Sequence, residues 1–104
     1  PGDMGTASYV MAGPSSGTNR AFGSSCHGAG RAMSRTEARQ KIDGAKVKRE
    51  LADKGVAIYE TNEKYLSEEA PDAYKNVDDV IRLTEKAGLA RPVARLKPVI
   101  VIKG

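Results

Sequence analysis

Phe22-Gly23-Ser24-Ser25-Cys26-His27-Gly28-Ala29-Gly30-Arg31, followed closely by Ser34-Arg35-Thr36-Glu37, decides how the rest of the chain is read. The first part is a loop. Gly23, Gly28 and Gly30 permit positive φ or a close backbone approach to a ligand. The second part is a capping box, in which the Ser and Glu side chains satisfy each other's free amides, so it predicts the start of a helix. The loop also holds the only histidine and the only cysteine of the sequence. Ser24, Ser25 and the amides after His27 are suited to line a concave anion site, and Arg31 adds a fixed planar charge. An imidazole, a glycine turn and a helix N-terminus, in that order, suit a phosphate held beside a nucleophile. A lone histidine in a Gly/Ser loop is, however, more often an ordinary surface group.

Working outward, Pro1 to Gly5 reads as a turn with Asp3 as its turn former. Ala7 to Ala12 predicts a short strand, with Tyr9 and Met11 on one face and Ser8 and Val10 on the other. Gly13 to Asn19 reads as an exposed connection, and Arg20 to Phe22 as a brief returning strand with Phe22 in the core. Downstream, Ser34 to Ile42 predicts a helix, which Asp43-Gly44 interrupts. Ala45 to Lys54 predicts a second helix with Val47 and Leu51 on one face, stopped by Gly55. Val56 to Tyr59 reads as a strand, Thr61 to Leu66 as loop, and Ser67 to Tyr74 as an acidic turn with a short helical turn after Pro71. Asn76 caps a helix through Ala87, with Val77, Val80, Ile81 and Thr84 at helical spacing and Gly88 at its end. Val99 to Ile102 is a continuous apolar run, which predicts a strand buried on both faces. Short strands with three or so helices make the fold class α+β.

Composition bounds the function classes. The chain has 104 residues, of which 39% are hydrophobic and 5% aromatic, a thin supply for an independent core. A net charge of +4 is compatible with a polyanionic partner. The single cysteine excludes an internal disulfide, and Cys26 reads as a small buried thiol. No stretch has the composition of a signal peptide or a membrane span, so the expected setting is cytoplasmic, with no membrane partner. The chain begins at Pro1 and not at a methionine, so its N-terminus is not expected to be a natural translation start. Arg31, Arg35, Arg39, Lys41, Lys46, Lys48 and Arg49 form a basic cluster. It reads either as a solvated helix surface or as an RNA-facing stripe. Apart from enzyme chemistry, two further classes stand: a non-catalytic basic RNA-binding module and a helical protein-interaction domain.

Ser24-Ser25-Cys26-His27-Gly28-Ala29-Gly30-Arg31-Ala32-Met33-Ser34-Arg35 resembles the signature of RtcB-type RNA ligases. Pro1-Gly2-Asp3-Met4-Gly5-Thr6-Ala7-Ser8-Tyr9, Glu69-Ala70-Pro71-Asp72-Ala73-Tyr74-Lys75 and Ile102-Lys103-Gly104 resemble the same family in the same order. The family protein is several times longer, so the resemblance implies that residues 1–104 are the C-terminal portion of an RtcB-like catalytic domain, part of a larger fold. It implies a GTP-dependent RNA ligase, used in tRNA splicing and RNA repair. Such an enzyme joins a 3′-phosphate or 2′,3′-cyclic phosphate end to a 5′-hydroxyl end through a histidine–GMP intermediate.

By its place in the motif, His27 is the implied nucleophile. The backbone of Gly28, Ala29 and Gly30 is implied to approach the GMP. Pro1, Gly2, Asp3, Met4, Ser8, Tyr74 and Lys103 resemble family positions that contact the guanine nucleotide. Tyr74 would stack on or flank the base, and Lys103 would donate to guanine O6 or N7. Asp3, if it faces the base, would accept from guanine N1–H and N2–H₂. The family also uses a divalent metal, typically manganese, and its ligands are expected outside this chain. Implied partners are RNA with broken ends, such as tRNA exon halves, the remainder of the full-length ligase, and an archease-type activating protein. Residues 1–104 alone are expected to be inactive.

Overall fold

Capping side chains set where the helices begin. In the computed structural model, which describes residues 1–15 and 20–104, Ser34 Oγ accepts from the Glu37 amide at 3.1 Å and opens α1 (Arg35–Lys41). Asp43 caps α2 (Gly44–Asp53), and Gly55 follows its end at φ 80°. Asn62 caps α3 (Glu63–Glu68), and Asn76 caps α4 (Val77–Lys86) by accepting from the Asp79 amide at 3.0 Å. Strands β1 (Ser8–Ala12), β2 (Ala57–Glu60), β3 (Arg91–Leu96) and β4 (Ile100–Lys103) complete the chain, with a 3-10 turn at Pro71–Ala73. The fold is mixed α+β, as the sequence pattern predicts.

The strands form two separate pairs, β1 antiparallel to β3 and β2 parallel to β4. A two-stranded sheet is marginal by itself, so each pair depends on the elements packed against it. Met4, Val47, Leu51, Val56, Leu66, Ala70 and Val101 form one core, which joins β2 and β4 to α2 and α3. Ala7, Ala29 and Val77 form a second, smaller core with Tyr9, Val80 and Ile81 around it. The N-terminal segment ties the two together, because Met4 enters the first core and Ala7 the second. A radius of gyration of 15.4 Å exceeds the roughly 13 Å of a compact chain this long, in keeping with two small cores side by side.

Polar contacts lock α4 onto the β1–β3 ribbon. Tyr9 donates to Asp78 Oδ1 at 2.5 Å, and Arg95, opposite Tyr9 in the ladder, grips both Asp78 oxygens at 2.9 and 3.0 Å. These bonds hold the Asp78 carboxyl down at about 2, Arg95 contributing most. The register slips between Val10 and Met11, so Val93 is the extra residue of a bulge beside Pro92, which has no N–H to give the ladder.

Several sequence expectations are corrected. Thr61 to Leu66 is not all loop: α3 begins at Glu63, and Leu66 is fully buried. Arg20 to Phe22 is a turn closed by the Ser24 amide on Ala21 O at 2.9 Å; Phe22 has φ 56° and is fully exposed. The Val99 to Ile102 run is buried on one face only. In a two-stranded sheet Val101 packs inward, whereas Ile100 and Ile102 remain 60% and 78% exposed. Arg91–Leu96 forms a strand where the pattern predicted none. Of the connection expected at Gly13 to Asn19, residues 16–19 lie outside the described residues.

Candidate functional site

The histidine loop is anchored at both ends. Ala29 is buried against Ala7 and Val77, and its amide donates to Pro1 O at 3.1 Å. Gly30 turns at φ 77°, the left-handed region in which a side chain is strained. Its carbonyl accepts from the Lys75 amide at 3.0 Å, and Arg31 bridges to Tyr74. Between these anchors His27 is exposed, and its imidazole has no hydrogen bond or ion pair among the described residues. The amides of Gly28 and Gly30 are likewise without partners among the described residues.

His27 stands at a cleft of about 160 Å³ lined also by Pro1, Tyr9, Met11, Gly28, Ala29 and Val77. Tyr9 and Met11 reach it because alternate residues of a strand share a face. Gly2 lets Pro1 come so close. A Cβ on Gly2 would meet Ala7 O at 2.2 Å and Val77 Cβ at 2.8 Å, so no other residue fits without displacing the start of α4. The Gly2 amide points at Ser8 Oγ, 3.3 Å away, which joins two further sequence-identified positions. Met4 is buried in the core, so what it can offer a ligand is its backbone. Asp3 accepts from the Gly5 amide at 2.8 Å and lines a second groove with Tyr74 and Lys75.

Tyr74 and Lys103 meet at a residue that was not among the sequence candidates, Glu69. Tyr74 donates to Glu69 Oε2, and Lys103 Nζ lies 4.0 Å from that oxygen. Arg31 donates to the Tyr74 hydroxyl at 3.1 Å, lies 4.8 Å from its ring centroid, and pairs with Glu69 Oε1 at 3.4 Å. Burial, and after it the Glu69 bond, push the Tyr74 phenol above its ordinary value, so it remains a donor. The signal for Glu69 was present in the sequence, since it begins the Glu69 to Lys75 stretch, but nothing local shows what it faces.

The basic cluster resolves into ion pairs. Arg31 and Arg35 face Glu69, Arg39 faces Glu68, Lys41 faces Glu37, Lys46 faces Glu50 and Lys48 faces Glu60. Only Arg49 of that cluster has no ion pair among the described residues, which favours a paired helix surface over an RNA-facing stripe. Cys26, expected as a buried thiol, is exposed, with Sγ 3.7 Å from Gly28 O. A divalent metal does not fit this chain's donors: among the described residues no three His, Cys, Asp or Glu side chains converge to hold one. No helix among them is long and apolar enough to cross a membrane.

These are the features of an α+β chain that presents one histidine on a glycine-built loop, with a separate cluster of cations gathered on Glu69. The family model described as tRNA-splicing ligase RtcB matches residues 1–104, and the chain belongs to that family. It is 46% identical over 104 residues to the tRNA-splicing ligase RtcB of Pyrococcus abyssi, covering 100% of this chain and 11% of that protein. It is 45% identical to the one of Pyrococcus horikoshii and 47% to that of Methanopyrus kandleri, covering 12% and 10% of them. The chain thus spans about a tenth of the length of the curated relatives it matches.

Proposed function

We propose that this chain is the C-terminal portion of the catalytic domain of a GTP-dependent RNA ligase, and that His27 carries the guanylyl group. In this reading the imidazole attacks the α-phosphorus of GTP and pyrophosphate departs. An RNA 3′-phosphate oxygen then displaces the imidazole, which leaves well when protonated or held by a donor. The 5′-hydroxyl of the second RNA end finally displaces GMP. A 2′,3′-cyclic phosphate end is opened first. The unpartnered amides of Gly28 and Gly30 are free to receive phosphate oxygens. Pro1, Gly2, Asp3, Met4, Ser8, Ala29, Tyr74 and Lys103 border the nucleotide. No step is assigned here to manganese, whose ligands in this reading lie elsewhere in the ligase. An archease-type activator and a cytoplasmic setting belong to the same proposal.

The observation that carries this reading is the exposed, unengaged imidazole of His27 on a loop pinned at Ala29 and Gly30. A reactive group held on a fixed backbone, with its nitrogens free, is what covalent catalysis needs. The test uses a ligase of family length carrying this sequence, incubated with α-labelled GTP and manganese. Label is expected on His27, and His27→Ala is expected to abolish both the label and the joining of 3′-phosphate to 5′-hydroxyl ends. Full labelling of that variant would refute the assignment.

A further inference from the structure

Glu69 is the C-cap of α3, and side chains from three other parts of the chain converge on its carboxylate. Arg31 and Arg35 approach Oε1 at 3.4 and 3.6 Å, while Tyr74 and Lys103 approach Oε2. One negative charge therefore faces three positive ones. The arrangement treats its members unequally. Tyr74 is locked, with its proton on Glu69, its oxygen accepting from Arg31, and its ring beneath the guanidinium. Lys103 is restrained without being consumed. At 4.0 Å its ammonium is an ion-pair partner and too far for a hydrogen bond, so its donors stay available to another acceptor. Its side chain is 32% exposed, so a ligand can reach it.

We infer that Glu69 is a positioning residue for base selection: its carboxylate holds the Lys103 ammonium in place to donate to a purine carbonyl oxygen, which guanine has and adenine lacks. A lysine is a flexible point charge on a long stem, and leaving it to be ordered by the ligand weakens binding. The carboxylate also offsets Arg31 and Arg35, which otherwise repel Lys103 from the same corner. The inference rests on the place beside the nucleotide that Proposed function gives Lys103, and the following experiment separates the two.

In the ligase of family length, guanylylation and adenylylation of His27 are measured for wild type, Glu69→Gln, Lys103→Ala and the double variant. Glu69→Gln keeps an acceptor for Tyr74 and removes the charge. Its KM for GTP is expected to rise roughly three- to tenfold, and its preference for GTP over ATP to fall by a similar factor. In the Lys103→Ala background the same change is expected to have no further effect on preference, because the two act as one unit. An equal drop in both backgrounds, or an unchanged preference in Glu69→Gln, overturns the role given to Glu69. Wild type that takes no label from GTP overturns the nucleotide reading itself and this inference with it. Should Glu69→Gln fail to accumulate folded, Glu69→Asp withdraws the charge by one methylene in the same cycle, and an unchanged preference there also overturns it.

Discussion

Replacing Lys103 by alanine distinguishes a surface charge from a ligand-binding group, because the two roles predict effects of different size on different measurements. Among the described residues Lys103 makes one ion pair, to Glu69 at 4.0 Å, with the lysine 32% and the glutamate 18% exposed. Partly solvated pairs of this kind are worth less than about 1 kcal/mol. Glu69 keeps Arg31, Arg35 and Tyr74 in the variant, so no charge is left buried alone. The thermal midpoint of the ligase of family length should therefore hardly move, since the shift per kcal/mol shrinks as the chain lengthens. A hydrogen bond from a charged donor to guanine is worth about 1.5–3 kcal/mol, or roughly one to two orders of magnitude in affinity. Competition between GTP and ATP for labelling of His27 in the ligase of family length, read beside a thermal melt of the same protein, measures both. The expected outcome is a small loss of stability with a large loss of GTP preference. An unchanged GTP:ATP ratio would refute the reasoning and leave Lys103 as surface charge.

Leu66→Ala is expected to destabilise the fold by roughly 2–5 kcal/mol, since Leu66 is fully buried in the main core; a urea midpoint moved by less than 1 kcal/mol equivalent would refute its place there. Asp78 has its carboxyl lowered to about 2 by Arg95 and then Tyr9, so the stability it adds is present above about pH 4 and is lost as pH falls toward 2. Unfolding curves of wild type and Asp78→Asn should accordingly differ at neutral pH and converge near pH 2, and a constant gap across that range would contradict the assignment. Residues 1–104 alone are expected not to take label from GTP and manganese, because their donors do not assemble a metal site among the described residues. Steady turnover by the purified 104-residue chain would overturn that expectation.

Local chemistry made much of the fold legible. Ser34 and Asn76 are side-chain acceptors placed at the starts of good helix formers, and each caps a helix there; Asp43, read only as a break, caps α2 as well. Gly55 and Gly88 stop helices at positive φ, as glycines in those places should. What failed depended on distant partners. The helix α3 has only 6 residues, too few to show a period, and its burial comes from packing against α1, α2 and β2, which its own sequence does not announce. For β4, continuous apolar sequence implies two covered faces only if the sheet continues, and among the described residues β4 has one neighbour, β2. Phe22 looked like core because an isolated aromatic usually is, but the turn around it leaves it in solvent.

The candidate site divides along the same line. Its loop was legible because a glycine-rich stretch with one histidine declares its flexibility and its chemistry within ten residues. Its electrostatics were not, because Arg31, Glu69, Tyr74 and Lys103 come from a loop, a helix end, a 3-10 turn and the last strand. The parallel pairing of β2 with β4 sets where Lys103 ends, since Lys103 lies opposite Glu60 in the ladder. The length of α3 sets where Glu69 begins. Had α3 been the loop its sequence suggested, the Glu69 carboxylate would have had no fixed position, and Tyr74, Arg31 and Lys103 would share no anchor. The element hardest to read from the sequence is therefore the one that gives the cluster around Glu69 its geometry, which is why Glu69 escaped notice while His27 did not.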